Sequence, residues 1–467
     1  MFIGIDIGSS SVKTSLFNGH NFHVVRSAYA GGIDPNVQPA DLVSTTVSAA
    51  CRQLLSETHV APAQIQGIGL SGHGPSLVFI DDRGKTASPL VTWQDNRAID
   101  EALALRQRIP GFSKDGSSYE AKLQWFHTHL PQVFSPGYTA LYPKDYILYL
   151  LCGERVVDTS TASTFAFFNR ETHGWNQSLV DFPCSVLPPV IDSWVCAGHT
   201  STMFSRSCAL PDGIPVYPGG IDAYCGAVGA GVTTSDTIVE ETGTSTCVSR
   251  CFPGANGGDL HVIPDFSLTM KVISSTGRSF QWYMDLLGIT DLKELLLEVD
   301  PEDLVPILFL PYLSGERSPI WDEKALGTFV GVRGTTSKVD LLRAIMQGTA
   351  FAIYQNIRLL EMPDQAVSAV HAIGGSARDG KWQQMKANIT GIPYRQMKLV
   401  DGAAIGAALI AAIGDGALKA SDIPALIEIE RDFEPSRAAH ERYRGLFEEY
   451  AALYGKLASV FHTLYQP

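Results

Sequence analysis

The sequence predicts an α/β protein made of two related halves, and three observations carry that prediction. Runs of alternating apolar residues, read as strands, interchange with segments of helical periodicity along the chain. A strand–turn–strand with a glycine-hydroxyl turn opens the chain at Asp6-Ile7-Gly8-Ser9-Ser10-Ser11, and one of the same kind returns at Glu241-Thr242-Gly243-Thr244-Ser245. The length of 467 residues calls for two or three domains at about 150 residues each.

Each element follows from its local pattern. Ile3, Ile5 and Ile7 alternate, a serine-rich turn begins at Gly8, and Val12, Thr14 and Leu16 resume the alternation. Asn18-Gly19 is a hairpin signal, with Phe22 to Val25 as the third strand of a meander. Ala40 to Leu55 has helical spacing, Ile65 to Leu70 reads as a buried strand, and Asp82-Arg83-Gly84 as a turn. Ala223 to Gly231 is a run of small residues suited to a tightly packed helix. The second meander starts with Thr237 to Val239 and resumes after its turn at Cys247 to Ser249. Ser337 and Asp340 form a capping box ahead of Val339, Leu342, Ile345, Met346 and Ile353, with Pro363 beyond the end. From Pro435 onward, Tyr443, Leu446, Phe447, Tyr450, Leu453, Tyr454, Leu457, Val460, Phe461 and Leu464 mark an amphipathic helix of about eight turns. Its stripe fits either a coiled-coil homodimer or docking onto the chain's own core, and docking is the expectation. No low-complexity linker separates the halves, so close packing with a hinge is expected.

Composition excludes several classes. Asp and Glu total 48 against 35 Lys and Arg, a formal charge of −13, and the pI is about 5.4. That balance argues against a basic nucleic-acid footprint, while leaving room for a local phosphate pocket. Apolar residues at 45% and charged residues at 18% are ordinary globular usage, which argues against long disorder. The stretch Ala403 to Ile413 contains glycines and is too short to span a bilayer. Met1 leads straight into a strand, without a basic segment or cleavage site, so no signal peptide is expected. The eight cysteines are scattered, and the Cys247/Cys251 pair lacks a second pair or nearby His to complete a metal site. Reduced thiols in a cytoplasm are expected.

Four glycine-rich turns follow predicted strands: Gly8-Ser9-Ser10-Ser11, Gly219-Gly220-Ile221-Asp222, Gly243-Thr244-Ser245 and Gly374-Gly375-Ser376-Ala377. Glycine lets backbone N–H groups approach an anion, and hydroxyls add donors, so the set points to nucleotide phosphates. Neither a Walker-type Gly-x4-Gly-Lys-Ser/Thr nor a Gly-x-Gly-x-x-Gly after the first strand is present. Asp6, at a strand end beside the first turn, suits a carboxylate holding Mg2+ through water, and Lys13 can neutralise phosphate charge or be a solvated strand lysine. Asp222 is either a plain helix cap or the base that takes a substrate hydroxyl's proton. Ser71-Gly72-His73-Gly74 and Trp93-Gln94-Asp95-Asn96-Arg97 end two strands and combine an apolar platform with directional donors and acceptors, the mixture a polyhydroxylated ligand needs.

Together these residues resemble the FGGY carbohydrate kinases of the actin/hexokinase/Hsp70 superfamily, over essentially the whole chain. Asp6 to Lys13 looks like the first phosphate motif, Gly220-Ile221-Asp222 like the segment carrying the catalytic aspartate, Glu241 to Ser245 like the second phosphate motif, and Gly374 to Ala377 like the adenosine motif. Gly327-Thr328-Phe329-Val330-Gly331-Val332, followed by Asp340-Leu341 and Ala344-Ile345-Met346-Gln347, is similar to the family's C-terminal signature. Leu313 to Pro319 and the closing helix also fit.

The resemblance implies two ribonuclease-H-like (actin-like ATPase) domains flanking a central cleft, whose closure would exclude water. It places a sugar-binding N-terminal domain at 1–234, an ATP-binding C-terminal domain at 235–434, and a docking helix at 435–467. It implies ATP and Mg2+ as cofactors, and a small sugar rather than nucleic acid or membrane as partner. Asp222 would be the base and Asp6 the residue organising the metal. Ser9, Ser10, Ser11, Lys13, Gly243, Thr244, Ser245, Gly374, Gly375 and Ser376 would hold the nucleotide. Asp379 stands near the position where some members carry an adenosine-contacting Asn. His73, Gly74, Trp93, Asp95 and Arg97 would shape the sugar pocket with Asp222. At the sugar side only His73-Gly74 of the xylulokinase pattern is kept, and the Arg-Glu pair of glycerol kinase is absent. D-xylulose or a related pentulose ranks first, then another ketose, polyol or sugar acid (L-xylulose, ribulose, gluconate). A non-catalytic sugar sensor is the competing class, and retention of both Asp6 and Asp222 favours the enzyme.

Overall fold

The strand alternation at Ile3, Ile5 and Ile7 buries every residue of β1 (Phe2–Ile7), the centre of the first sheet. The computed structural model describes residues 1–31, 34–254, 258–363, 365–398 and 401–465. Its chain divides into two compact units. In the first, β1 pairs antiparallel with β2 (Ser11–Phe17), and β2 antiparallel with β3 (Phe22–Ala28), the expected meander. The helix α1 (Ala40–Thr58) then leads to β4 (Gly67–Gly72), parallel to β1. Later come the helix α2 (Tyr119–His129), the short edge strand β5 (Gly198–His199) and β6 (Pro215–Ile221), which is parallel to β4. The sheet order is β5-β6-β4-β1-β2-β3. From the end of β6 the chain enters the helix α3 (Asp222–Gly229) directly.

The second unit repeats the plan. β7 (Thr237–Thr242) pairs antiparallel with β8 (Thr246–Pro253), next to which lies β9 (Phe266–Ile273). The helix α4 (Thr276–Leu287) follows. The capping box holds in α5 (Lys338–Arg358), where the Ser337 hydroxyl accepts from the Asp340 N–H at 3.1 Å and the Asp340 carboxylate accepts from the Ser337 N–H at 2.9 Å. Next, β10 (Ala369–Ile373) lies parallel to β7, and after the helix α6 (Gly380–Thr390) the strand β11 (Tyr394–Met397) lies parallel to β10.

The helix α7 (Gly402–Gly414) departs from the boundaries read in the sequence. Residues 401–426, assigned there to the second domain, belong to the first unit, as do Pro253–Ser267. The reason is coverage: α7 is buried from Gly402 to Ala412, and a helix apolar on every face folds only where every face is covered. It packs on β1, β4 and α3. A Cβ on Gly4 of β1 would stand 1.9 Å from the Ala404 carbonyl oxygen, and one on Gly406 1.8 Å from that of Cys225. The contact is therefore backbone to backbone on both sides.

In the second unit β12 (Ile429–Phe433) closes the sheet antiparallel to β11, and α8 (Arg437–Leu464) follows. The α8 stripe packs onto the core of its own unit, with Phe447 and Tyr450 rings 5.8 and 5.4 Å from Phe351. Among the described residues no helix is long and apolar enough to cross a membrane. All eight cysteines are free thiols, and among the described residues no group of His, Cys, Asp and Glu converges as a metal cage.

Candidate functional site

Three adjacent parallel strands of the first unit end at one level. Asp6 of β1 stands opposite Ser71 of β4, which stands opposite Gly220 of β6; one residue on, Ile7, Gly72 and Ile221 form the next row. Gly8, His73 and Asp222 therefore occupy corresponding positions just past the carboxyl ends of three neighbouring strands, where open α/β sheets gather ligands.

Asp6 is 1% exposed. Its Oδ1 accepts from the Ser71 hydroxyl at 3.0 Å, and its Oδ2 lies 3.1 Å from Lys13 Nζ. Sequence reasoning placed Ser71 in a strand-end motif but not beside Asp6, a partner 65 residues away in the chain. In the Gly8 turn the carbonyls are tied back: Tyr29 Oη donates to Gly8 O at 2.9 Å, Gln38 Nε2 to Ser9 O, and the Tyr29 N–H to Ser10 O at 3.4 Å. What the turn of Ser9, Ser10 and Ser11 offers a ligand is therefore N–H and hydroxyl, the phosphate-binding polarity. Asp6, a strand-end carboxylate beside this turn, would hold Mg2+ through water, and the ion would neutralise phosphate charge.

Asp222 is half-buried at the first helical position of α3. Ile221 is the cap residue, and Asp222 Oδ1 accepts from the next N–H, that of Ala223, at 2.8 Å. Asp222 thus stands in the first turn of α3, one position past the cap residue.

At the second strand end, His73 is 2% exposed, with Nδ1 2.7 Å from Ser76 Oγ and Nε2 buried without a hydrogen-bond partner among the described residues. Burial lowers its pKa to about 4, with Lys122 adding to the effect and Asp6 opposing it, so the ring is neutral. Gly74 faces the Tyr142 ring so closely that a Cβ would stand 2.5 Å from it. Trp93 is half-buried. Asp95 is buried and holds Arg97 in a fork, 2.8 Å from Nε and 2.6 Å from Nη2. Burial opposes ionisation of Asp95, yet the Arg97 bonds outweigh it and hold the pKa below the usual carboxylate range. Arg97 also lies over the Trp125 ring, 5.0 Å from its centroid.

Beneath the strand ends lies an ionic triad that sequence reasoning did not single out. Lys144 Nζ is 2.5 Å from Asp145 Oδ1 and 2.6 Å from Asp158 Oδ2, all three side chains being fully covered. Burial opposes the charge on Lys144, but the two carboxylates raise its pKa above the usual lysine range. Burial, with Asp158 adding, pushes Asp145 up to about 6 against the pull of Lys144. A Cβ on Gly72 would stand 3.1 Å from Lys144 Cβ, and one on Gly220 3.6 Å from Asp158 Oδ1. The strand end that precedes His73 thus packs against Lys144, and the one that precedes Asp222 packs against Ser160 and Val262 beside Asp158.

The second unit brings its two turns together. Glu241 of β7 stands opposite Ile373 of β10, so Gly243 and Gly374 follow adjacent parallel strands. Gly374 has φ +88°, and a Cβ there would stand 2.5 Å from Thr242 O. Gly243, Thr244 and Ser245 turn tightly, with the Gly243 N–H donating to Ser245 O at 2.9 Å and the Arg278 N–H to Thr244 O at 3.0 Å. Below them Thr242, Thr246 and Thr276 link hydroxyls at 2.8 and 2.7 Å, and Thr242 donates to Glu240, the buried partner of Lys386. Gly375 is exposed, and the Ser376 side chain lies outside the described residues. Asp379 caps α6, its Oδ1 accepting from the Trp382 N–H at 2.8 Å.

Comparison with known proteins agrees with this geometry. The N-terminal domain model of the FGGY family of carbohydrate kinases matches residues 1–229, and its C-terminal domain model residues 232–414. The xylulose kinase of Bacillus subtilis is 28% identical over 97% of this chain and 96% of its own length. That of Staphylococcus epidermidis is 27% identical over the same shares. The crystal structure of xylulose kinase from Rhodospirillum rubrum superposes with a TM-score of 0.87 at 26% identity, over 99% of each chain. Both units thus have the actin-like ATPase fold, and the chain belongs to the FGGY family of carbohydrate kinases, enzymes that move a phosphoryl group from ATP to a sugar.

Proposed function

We propose that this kinase phosphorylates D-xylulose or a related pentulose on a terminal hydroxyl. The observation that supports it most is the placement of Asp222, a carboxylate set level with His73 and the Gly8 turn across three strand ends. Asp222 accepts the proton of the sugar hydroxyl as its oxygen bonds to the γ-phosphorus and the bond from phosphorus to the ADP oxygen breaks. Lys13 and the turns at Ser9 to Ser11, Gly243 to Ser245 and Gly374 to Ser376 hold phosphate and nucleotide, a task of positioning and charge neutralisation. Asp6 would hold Mg2+ through water, and the ion would neutralise phosphate charge. His73, Gly74, Trp93, Asp95 and Arg97 orient the sugar, with the unpartnered His73 Nε2 free to bond a hydroxyl. The pentulose assignment draws on the xylulose kinases among the relatives. Free thiols throughout accord with a reducing compartment, the cytoplasm.

The test is coupled ADP release with D-xylulose, L-xylulose, ribulose, gluconate and glycerol under saturating MgATP. A pentulose is expected to exceed glycerol at least about tenfold in kcat/KM, because each buried polar group left unpaired costs roughly 1–3 kcal/mol. Preference for gluconate or glycerol would overturn the substrate, and no ADP release with any sugar would overturn catalysis.

A further inference from the structure

Lys122 lies on the buried face of α2 with its side chain fully covered. Its Nζ makes two hydrogen bonds, 3.0 Å to the carbonyl of Pro75 and 2.5 Å to that of Thr92. Pro75 follows His73 by two residues in the same turn, and Thr92 immediately precedes Trp93. One ammonium therefore joins the two segments that carry the sugar-side residues. Both acceptors are carbonyls and neither is a carboxylate, so burial of this charge is costly in a way that an unbranched apolar side chain would avoid. A lysine on a helix that also presents polar residues to solvent reads in the sequence as a solvated face, which is why the residue escaped notice there.

We propose that Lys122 is a positioning residue for the sugar: by tying the His73 turn to the Trp93–Arg97 turn it sets the spacing of His73 and Asp95. The inference rests on the assignment of those two turns to the sugar side. The charged and titratable groups facing Lys122 are Asp95, Arg97, Asp115 and His73. Burial lowers its pKa to about 7, with Asp95 and Asp115 opposing and Arg97 assisting. As pH rises through the neutral range the tie thus passes from charge-assisted to neutral hydrogen bonds, which are about half as strong.

Kinetics on the intact enzyme separate the possibilities. Lys122→Met is expected to raise the KM for D-xylulose at least tenfold, with the KM for ATP within twofold of wild type. His73→Ala, measured beside it, tests the sugar side itself. If His73→Ala raises the sugar KM and Lys122→Met does not, the tie is refuted; if neither does, the sugar-side assignment falls and takes the proposal with it. Where Lys122→Met fails to fold, the pH profile decides. The wild-type sugar KM is expected to rise between pH 6 and 9, and Lys122→Arg, whose charge does not titrate there, to lack that rise. A flat wild-type profile in that case overturns the proposal.

Discussion

Asp222 opens α3 one position past Ile221, and its Oδ1 accepts from the Ala223 N–H at 2.8 Å. Asp222→Asn keeps the shape and an oxygen for the Ala223 N–H, so melting temperature and sugar affinity by calorimetry are expected to hold. Turnover is expected to fall roughly 10²–10⁴-fold, the usual worth of a general base; a folded, sugar-binding variant with near-wild-type rates would remove Asp222 from the mechanism. His73 offers a second measurement at this scale. Its folded pKa of about 4 lies below the ordinary 6.5, so between those values the unfolded chain binds the extra proton. The stability tied to the neutral ring is therefore present above pH 6.5 and lost as pH falls through 4, amounting to about 3 kcal/mol at most. Asp145, raised to about 6, works in the opposite sense over part of that window, so the effect is read as a difference. Denaturant unfolding at pH 7 and pH 4.5 is expected to show a smaller acid loss in His73→Gln than in wild type. Equal losses would show that His73 is not held neutral.

Elements are placed here by close approach as much as by apolar area. α7 reaches α3 because Gly406 has no side chain where the Cys225 carbonyl oxygen stands, and α3 carries Asp222 at its start. In an exposed helix, Gly→Ala stabilises by roughly 1 kcal/mol; at Gly406 the clash reverses that sign. Gly406→Ala is expected to destabilise by about 1–3 kcal/mol and to lower kcat, since α3 must shift to admit the methyl group. Gly455→Ala, on α8 where nothing lies within 4 Å of the added Cβ, is the control and is expected to melt slightly higher. Thermal melts of the two variants with opposite signs would establish the packing; equal shifts would refute it.

At the scale of the whole molecule, each unit carries a meander followed by parallel strands, with its candidate ligand groups at the carboxyl ends. Steady-state kinetics are expected to separate the two sets. Gly374→Ala puts a side chain at φ +88° and 2.5 Å from Thr242 O, so the KM for ATP is expected to rise at least tenfold with the sugar KM within twofold. Asp95→Asn loses the charged fork to Arg97, and the reverse pattern is expected. If either variant moves both constants equally, the division of labour between the units fails.

The order of strands and helices, the two meanders, the capping box and the glycine-hydroxyl turns were legible in the sequence, because period, caps and turn chemistry act over a few neighbouring residues. The level shared by Gly8, His73 and Asp222 was not, since it depends on the register of β1, β4 and β6, strands drawn from distant parts of the chain. Nor was the allegiance of α7, whose composition demands burial without saying under which sheet. Ser71 bonds a carboxylate 65 residues away, and Lys386 one 146 residues away. Lys122 and Lys144 look in the sequence like any surface lysine, and only the fold covers them and supplies their partners. Sequence by itself determined which chemistry-bearing residues end strands, because local forces decide that. Tertiary structure alone decided which of those ends meet and what holds them, because burial and pairing join groups that the chain keeps far apart.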